Sequence, residues 1–205
     1  MPNRESPLNA LEAYLPPGSF TRVCDYLKTY KVHLTVTKDR KSILGNYRHK
    51  LYDKTHRISV NGNLNKYSFL VTLLHELAHM LAFEKFGHTI QPHGMEWKRE
   101  FGQILAEFIP YNIFPVEIEK ILLSELNSPA ASTCADANLT RALRKYDTKV
   151  EGLILVEDLP EGSNFRIKGG RLFKKGVKLR TRYKCTEIDS SRVYLFSGVH
   201  EVIIS

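Results

Sequence analysis

A stretch of about twenty residues, from Tyr67 to Phe86, limits most strongly how this chain can fold. Its apolar residues occur nearly all round a helical turn and are not confined to one stripe. A helix that is hydrophobic all round is buried at the centre of a domain. The sequence therefore predicts a central buried helix, ending near Gly87, with the rest of a domain packed around it.

Three polar residues interrupt this apolar helix. His75, Glu76 and His79 form the motif His-Glu-x-x-His. Because four residues make slightly more than one helical turn, both imidazoles leave the same face and can chelate one zinc ion. Glu76 can then act as general base toward a water on that zinc. The simpler alternative is a pair of hydrogen-bonded core histidines, but burying such groups is costly unless they are satisfied.

A catalytic zinc site needs a third protein ligand and an open position. We predict His93, because it follows a loop long enough to turn the chain back and because Gly94 beside it permits an unusual backbone angle. His88 and Glu100 are the alternative third ligands. A purely structural zinc site, which usually has four protein ligands and often uses Cys, is a further alternative.

Periodicity and turn signals predict an α+β chain in two parts, residues 1–148 and 149–205. The first part has helices and a small sheet, which we interpret as antiparallel. Its predicted helices span residues 6–15, 19–30, 67–86, 95–108, 115–127 and 139–146, and its strands span 32–37, 44–50 and 56–60. The second is a small all-β module with predicted strands at 150–156, 164–168, 177–185, 193–196 and 199–203.

The helix motif and the residues that follow it resemble a known family. The motif at residues 75–79, followed after a longer gap by His93, Gly94 and Trp97, is similar to the SprT-like metallopeptidases, which include the Spartan DNA-dependent proteases. The resemblance covers roughly residues 20–125. It is more specific than the His-Glu-x-x-His motif alone.

This resemblance implies a zincin-like metallopeptidase domain with one catalytic Zn²⁺. His75, His79 and His93 would be the zinc ligands, Glu76 the catalytic base and Trp97 a packing aromatic. The implied function is that of a zinc metalloendopeptidase that hydrolyses peptide bonds in proteins, including DNA-bound or DNA-crosslinked ones, in DNA repair. The alternative is a DNA-associated binding or transcription-related regulatory protein with a retained metal site and little proteolysis. The intact Glu76 favours catalysis, because a pure binding protein does not need the base.

The C-terminal module departs from the family pattern. Many SprT-like proteins end in a zinc ribbon with four cysteines, whereas this module has Cys185 alone. We therefore expect a degenerate, ribbon-like module that holds no ribbon zinc.

The same module contains a strongly basic stretch. Residues 165–184 hold nine Lys/Arg and no acid, interleaved with Phe165, Phe173 and Tyr183, in a chain of net charge +8. Such a pattern suits a nucleic-acid backbone and its bases, and the resemblance favours DNA. The alternative is the solvated face of a small β-module. The predicted nucleic-acid-binding residues are Arg166, Lys168, Arg171, Lys174, Lys175, Lys178, Arg180, Arg182 and Lys184.

Two further patterns bear on location. The chain has no apolar run of about 18 residues, so we expect no membrane span. The residues after Met1 lead into no apolar segment of the kind that directs secretion. We expect a cytoplasmic protein, nucleoid-associated if it is bacterial.

Overall fold

The predicted buried helix is present and spans Lys66–Phe86. In the computed structural model, which describes residues 6–40, 43–50, 55–126, 136–148 and 151–205, the chain divides into two units, Met1–Asp147 and Thr148–Ser205. The long helix lies at the core of the first unit. Among the described residues, no helix combines the length and the apolar character needed to cross a membrane.

The first unit contains five α-helices and three strands in its described residues. The helices are Phe20–Thr29 (α1), Lys66–Phe86 (α2), Met95–Phe108 (α3), Val116–Glu125 (α4) and Ala137–Arg144 (α5). The strands are Val32–Thr37 (β1), Gly45–Arg48 (β2) and His56–Asn61 (β3). Short 3-10 helices cover Leu8–Tyr14 and Ile109–Tyr111. The segment predicted as a first helix is thus a 3-10 helix, because prolines on both sides leave it only two turns.

The three-stranded sheet has the order β1-β3-β2 and is mixed. β1 and β3 are parallel, whereas β2 and β3 are antiparallel. The prediction of a purely antiparallel sheet was therefore wrong. Because β3 inserts between β1 and β2, the first and third strands, which run in the same direction, become neighbours.

Helix α2 is buried because other elements cover it on several sides. β2 and β3 pack against it from one direction and α3 from another. Helix α3 contributes Trp97, Phe101 and Phe108, all essentially fully buried. Each such large side chain contributes roughly 1.5–3 kcal/mol through burial of its apolar surface. The core of this unit is therefore built around the helix that carries the His-Glu-x-x-His motif.

The second unit is a six-stranded antiparallel sheet with the order β4-β9-β5-β6-β7-β8. Its strands are Leu153–Leu155 (β4), Asn164–Arg166 (β5), Leu172–Lys178 (β6), Arg182–Glu187 (β7), Val193–Ser197 (β8) and Glu201–Ile204 (β9). The single strand predicted at residues 177–185 was wrong, because this segment turns at 179–181 to form the β6–β7 hairpin. The hairpin brings Phe173 and Cys185 together in one core, whereas a continuous strand would hold them roughly 40 Å apart.

The start of α2 is fixed by Asn65, which generates a first prediction. Its side-chain oxygen accepts the Ser68 N–H at 2.9 Å, and its amide donates to the Leu143 carbonyl at 3.0 Å. We expect Asn65→Ala to lower the free energy of unfolding of this unit by about 1–2 kcal/mol, because an N-cap and a tie to α5 are lost together. Urea unfolding followed by fluorescence of Trp97, the chain's one tryptophan, measures this. The exposed Asn63→Ala is the control, and an equal loss in both variants would contradict the capping role.

Candidate metal centre

Helix α2 supplies two imidazoles and a carboxylate to one region of the core. His75 and His79 lie one turn apart, with ring centroids 5.0 Å from each other. His75 and Glu76 are only 7% and 6% exposed, whereas His79 is half-buried. The helical spacing thus brings the predicted side chains to one face, as the geometry of an α-helix requires.

The loop before α3 brings His93 to this pair. Its Nε2 lies 3.1 Å from Nε2 of His75 and 3.0 Å from Nε2 of His79. The nitrogen ligand atoms of the three residues all lie within 4.8 Å of one another, so together they can hold a metal ion. The two residues considered as alternative third ligands are not part of this histidine cluster. His88 is an exposed loop residue, and Glu100 pairs with Lys85 at 2.6 Å.

The backbone at His93 adopts a rare conformation. His93 has a φ of 59°, in the left-handed region that non-glycine residues seldom occupy. The expectation that Gly94 supplies the unusual angle was wrong, since Gly94 has a φ of −66° and precedes the first turn of α3. Space around Gly94 is tight, because a Cβ there would lie 3.0 Å from the Gln91 carbonyl oxygen and 3.1 Å from Oε2 of Glu96. Backbone strain of this kind is often found at functional sites.

Trp97 packs against all three histidines. Its ring centroid lies 4.7 Å from that of His75, 5.3 Å from that of His79 and 4.8 Å from that of His93. Its indole N–H also donates to the His75 carbonyl at 3.4 Å. This fully buried ring therefore provides an apolar surface beneath the three imidazoles and restricts their orientation.

Burial keeps the imidazoles uncharged. It lowers the pKa of His75 to about 3, with the nearby His79 and His93 adding to the effect. It likewise lowers the pKa of His79 to about 4, with a contribution from His93, and it also lowers the pKa of His93. Neutral imidazole is the form that binds metal ions, so the cluster is ready to do so at neutral pH.

Glu76 lies beside this cluster, against strand β2. Burial raises its pKa to about 8, although the charge of Arg40 and a hydrogen bond from the Tyr47 backbone N–H oppose the rise. Gly45 allows β2 to come this close, because a Cβ there would lie 2.6 Å from Oε1 of Glu76 and 2.7 Å from Cγ2 of Thr72. The sequence patterns had pointed to neither Gly45 nor Tyr47 as a site residue. A glycine at the start of a strand can mark close approach, but the sequence does not say to what.

A chain of polar contacts holds β2 in place. The Tyr47 hydroxyl lies 2.9 Å from Nδ1 of His56 on β3, and Nε2 of His56 lies 3.2 Å from Oε1 of Glu84 near the end of α2. Lys50 pairs with the same Glu84 oxygen at 2.8 Å. These contacts join β2 and β3 to helix α2, which carries the histidines. Strand β2, which packs against Glu76, is therefore also held near its C-terminal end.

The basic residues of the second unit do not form one continuous surface. From the strand register, one sheet face, which we call the outer face, carries Arg166, Lys174, Arg182 and Lys184, all exposed. Lys168, Lys178 and Arg180 are exposed at or near strand ends.

Three of the nine predicted basic residues make polar contacts within the unit, and one of them is the exposed Arg166, which donates to the Gly170 carbonyl at 2.9 Å. Nε of Arg171 pairs with Oε1 of Glu187 at 2.5 Å. Lys175 is buried, donates to the carbonyls of Glu157 and Leu159, and lies 4.3 Å from the centroid of the Tyr183 ring.

The aromatic residues of the basic stretch belong to the core. Phe165 and Phe173 are fully buried and stack at a centroid distance of 5.7 Å. Cys185 lies beside them on β7 and is also fully buried. The interleaving of aromatic and basic residues therefore reflects the inward and outward alternation of strands.

The sequence of the first unit was compared with known protein families. The model of the SprT-like family matches residues 19–119, which include the three clustered histidines, Glu76 and strand β2. Residues 19–119 of the chain are therefore SprT-like. Searches of curated proteins and of solved structures found no match. The second unit lies outside the matched region.

The raised pKa of Glu76 predicts how the metal-free protein responds to pH. Between its usual pKa of 4.5 and about 8, folded Glu76 keeps a proton that the unfolded chain releases. The free energy of unfolding should therefore fall as pH rises through this window, by at most about 1.4 kcal/mol per pH unit from this group. We expect the stability difference between Glu76→Gln and wild type to grow from pH 5 to 8 in chelator, measured by urea unfolding. A constant difference would mean that Glu76 ionises normally.

The close approach of β2 and α2 generates a prediction about Gly45. Gly45→Ala should lower the free energy of unfolding by about 1–3 kcal/mol, because the added methyl forces β2 away from Glu76 and Thr72. Asn46→Ala, whose side chain lies on the opposite face of the same strand, is the matched control. Urea unfolding of both variants decides the matter, and a Gly45→Ala protein as stable as the control would contradict the tight packing.

Proposed function

We propose that this SprT-like protein is a zinc-dependent metallopeptidase that hydrolyses peptide bonds in proteins. The observation that carries the proposal is the convergence of three imidazole Nε2 atoms beside the buried carboxylate of Glu76. The family match supports it independently, because the SprT-like family is associated with metalloprotease activity.

Zinc fits the donor set and its spacing. Zn–N bonds of about 2.0–2.1 Å place the nitrogens of a tetrahedral site roughly 3.3–3.4 Å apart. The two Nε2 separations of 3.0 and 3.1 Å need only a slight opening to match. Within the described part of the chain, the metal-binding group has three members and no fourth His, Cys or carboxylate. Three protein ligands with an open position are typical of a catalytic zinc site.

The protein's own residues account for the proton transfers. Zinc, when bound, would polarise the peptide carbonyl and lower the pKa of a coordinated water to roughly 7. Glu76 accepts the proton of the attacking water and passes it to the leaving amine. A dication nearby favours the ionised carboxylate, which offsets the effect of burial on its pKa. The Tyr47 backbone N–H, which donates to the Glu76 carboxylate, keeps the base directed at the reaction centre.

Access to the site comes from the side of the half-buried histidines. His79 and His93 are both partly exposed, whereas His75 lies behind them against Trp97 and Phe101. A substrate carbonyl can therefore approach the open position without displacing the core.

We further propose that DNA contacts the second unit through its exposed cations. The charge of +8 and the exposed outer-face residues Arg166 and Lys174, which lie away from the edge of the sheet, support this part of the proposal. Because Phe165 and Phe173 are buried, the contacts would be with phosphates and not with stacked bases. The substrates would then be proteins bound or crosslinked to DNA.

Cleavage of a basic DNA-binding protein by the zinc-loaded full chain, with and without single-stranded DNA, tests the proposal. We expect Glu76→Gln to lower the rate at least about 100-fold while retaining zinc, because it removes the base and no ligand. His93→Ala should lose both zinc and activity. The exposed His88→Ala is the matched histidine control and should retain both, with zinc content measured by elemental analysis.

The outcomes separate the two parts of the proposal. Cleavage that requires DNA supports both, whereas cleavage indifferent to DNA supports only the peptidase. If wild type and Glu76→Gln hold zinc and are equally inactive, the alternative of a DNA-associated regulatory protein takes precedence.

A further inference from the structure

Strand β8 forms one edge of the six-stranded sheet in the second unit. Val193 and Leu195, which point outward from it, are 50% and 51% exposed. Natural edge strands are usually protected by charged side chains, proline or bulges, because an open edge pairs readily with another chain. The sequence of β8, Val-Tyr-Leu-Phe-Ser, contains no charge and no proline, and its pairing with β7 is regular.

The backbone register shows which groups of β8 face the open side. Glu187 N–H donates to the Arg192 carbonyl at 2.8 Å, so this pair is hydrogen-bonded across the two strands. Because hydrogen-bonded and non-hydrogen-bonded pairs alternate in antiparallel sheets, Val193 and Leu195 occupy non-hydrogen-bonded positions. Their N–H and C=O groups therefore point away from β7. A strand laid alongside could make up to four main-chain hydrogen bonds with these two residues.

The far end of β8 is closed. Glu157, in the 3-10 helix Val156–Asp158, donates its N–H to the Gly198 carbonyl at 3.0 Å. A Cβ on Gly198 would lie 2.6 Å from Oε2 of Glu157, so this helix crosses directly over the end of the strand. The accessible part of the edge is therefore short and centred on Val193 and Leu195.

The outward charges of β7, the strand next to this edge, are positive. Lys184 lies directly opposite Leu195, and Arg182 lies opposite Ser197, both on the outer face and both exposed. Among the outward residues of β7 and β8, which are described in full, none is acidic. The added strand would lie two strand spacings, about 9.6 Å, from β7, and a Lys or Arg side chain together with a Glu side chain can span that distance. A partner strand with carboxylates on the outer face would meet these cations.

We propose that β8 binds an extended segment of a partner protein by strand addition, and that this segment alternates acidic and apolar residues. Its carboxylates lie on the outer face near Lys184 and Arg182. Its apolar side chains lie on the inner face near the half-buried Tyr194 and Phe196. Main-chain hydrogen bonds supply the affinity and the alternation supplies the selectivity.

Two other occupants fit less well. A second copy paired through β8 would bring two rows containing Lys184 and Arg182 toward each other, and like charges repel. A nucleic acid could neutralise the cations, but it would leave the outward main-chain groups of Val193 and Leu195 without hydrogen-bond partners.

Nuclear magnetic resonance of the isotope-labelled full chain tests the proposal with two synthetic peptides. One alternates Glu and Val over six residues, and the other replaces each Glu with Lys. We expect only the acidic peptide to shift and protect the amides of Val193 and Leu195, with weaker binding at high salt. Leu195→Glu should weaken this binding at least tenfold, because it places a like charge beside the carboxylates of the peptide. Ile203→Glu, which alters an exposed apolar residue on the interior strand β9, is the matched control and should bind like wild type.

A second variant keeps the proposal testable if Leu195→Glu does not fold. Lys184→Glu should weaken binding of the acidic peptide and strengthen binding of the basic one. Equal binding of both peptides by the wild type, or binding of neither, would overturn the proposal. So would self-association through β8, or protection of the same amides by a single-stranded oligonucleotide while the acidic peptide is inert.

Discussion

The structure of the first unit depends on the burial of polar groups inside an otherwise apolar helix. Helix α2 is hydrophobic all round, so it can be stable only at the centre of a core, yet it carries His75 and Glu76 into that core. Such groups are tolerated when other elements provide them with partners. The loop before α3 provides His93, α3 provides the Trp97 ring, and β2 provides a backbone N–H to Glu76. The arrangement around α2 is therefore at once the core and the candidate metal centre.

The precision of the centre comes mostly from backbone geometry. Gly45 lets a strand approach the carboxylate, and His93 reaches the other two imidazoles through a left-handed backbone angle. The contacts of Tyr47 with His56 and of His56 with Glu84 then join β2 and β3 to the end of α2. Side chains on rigid, mutually braced elements need little reorganisation to bind a metal ion, which is the condition for a site that works by orientation and electrostatics.

The second unit illustrates how one sequence pattern can support two interpretations. A basic stretch interleaved with aromatic residues is typical of nucleic-acid binding, but it is also the pattern of a strand with one buried face. Phe165 and Phe173 occupy the core, and Lys175 is itself buried there. What remains on the outer face is a set of cations beside the apolar edge of β8. Its chemistry suits phosphates at some positions and an acidic strand at others.

The sequence by itself determined the buried helix, its two histidines and Glu76, because helical periodicity and a four-residue spacing are local properties. It also indicated the family, since the second motif around His93 and Trp97 lies close along the chain. Tertiary structure alone decided the mixed order of the sheet, the β6–β7 hairpin and the roles of Gly45 and Tyr47. These depend on which distant segments meet, and local propensities do not encode those contacts. The conformational strain at His93, in place of the expected one at Gly94, likewise follows from where α2 requires the imidazole to be.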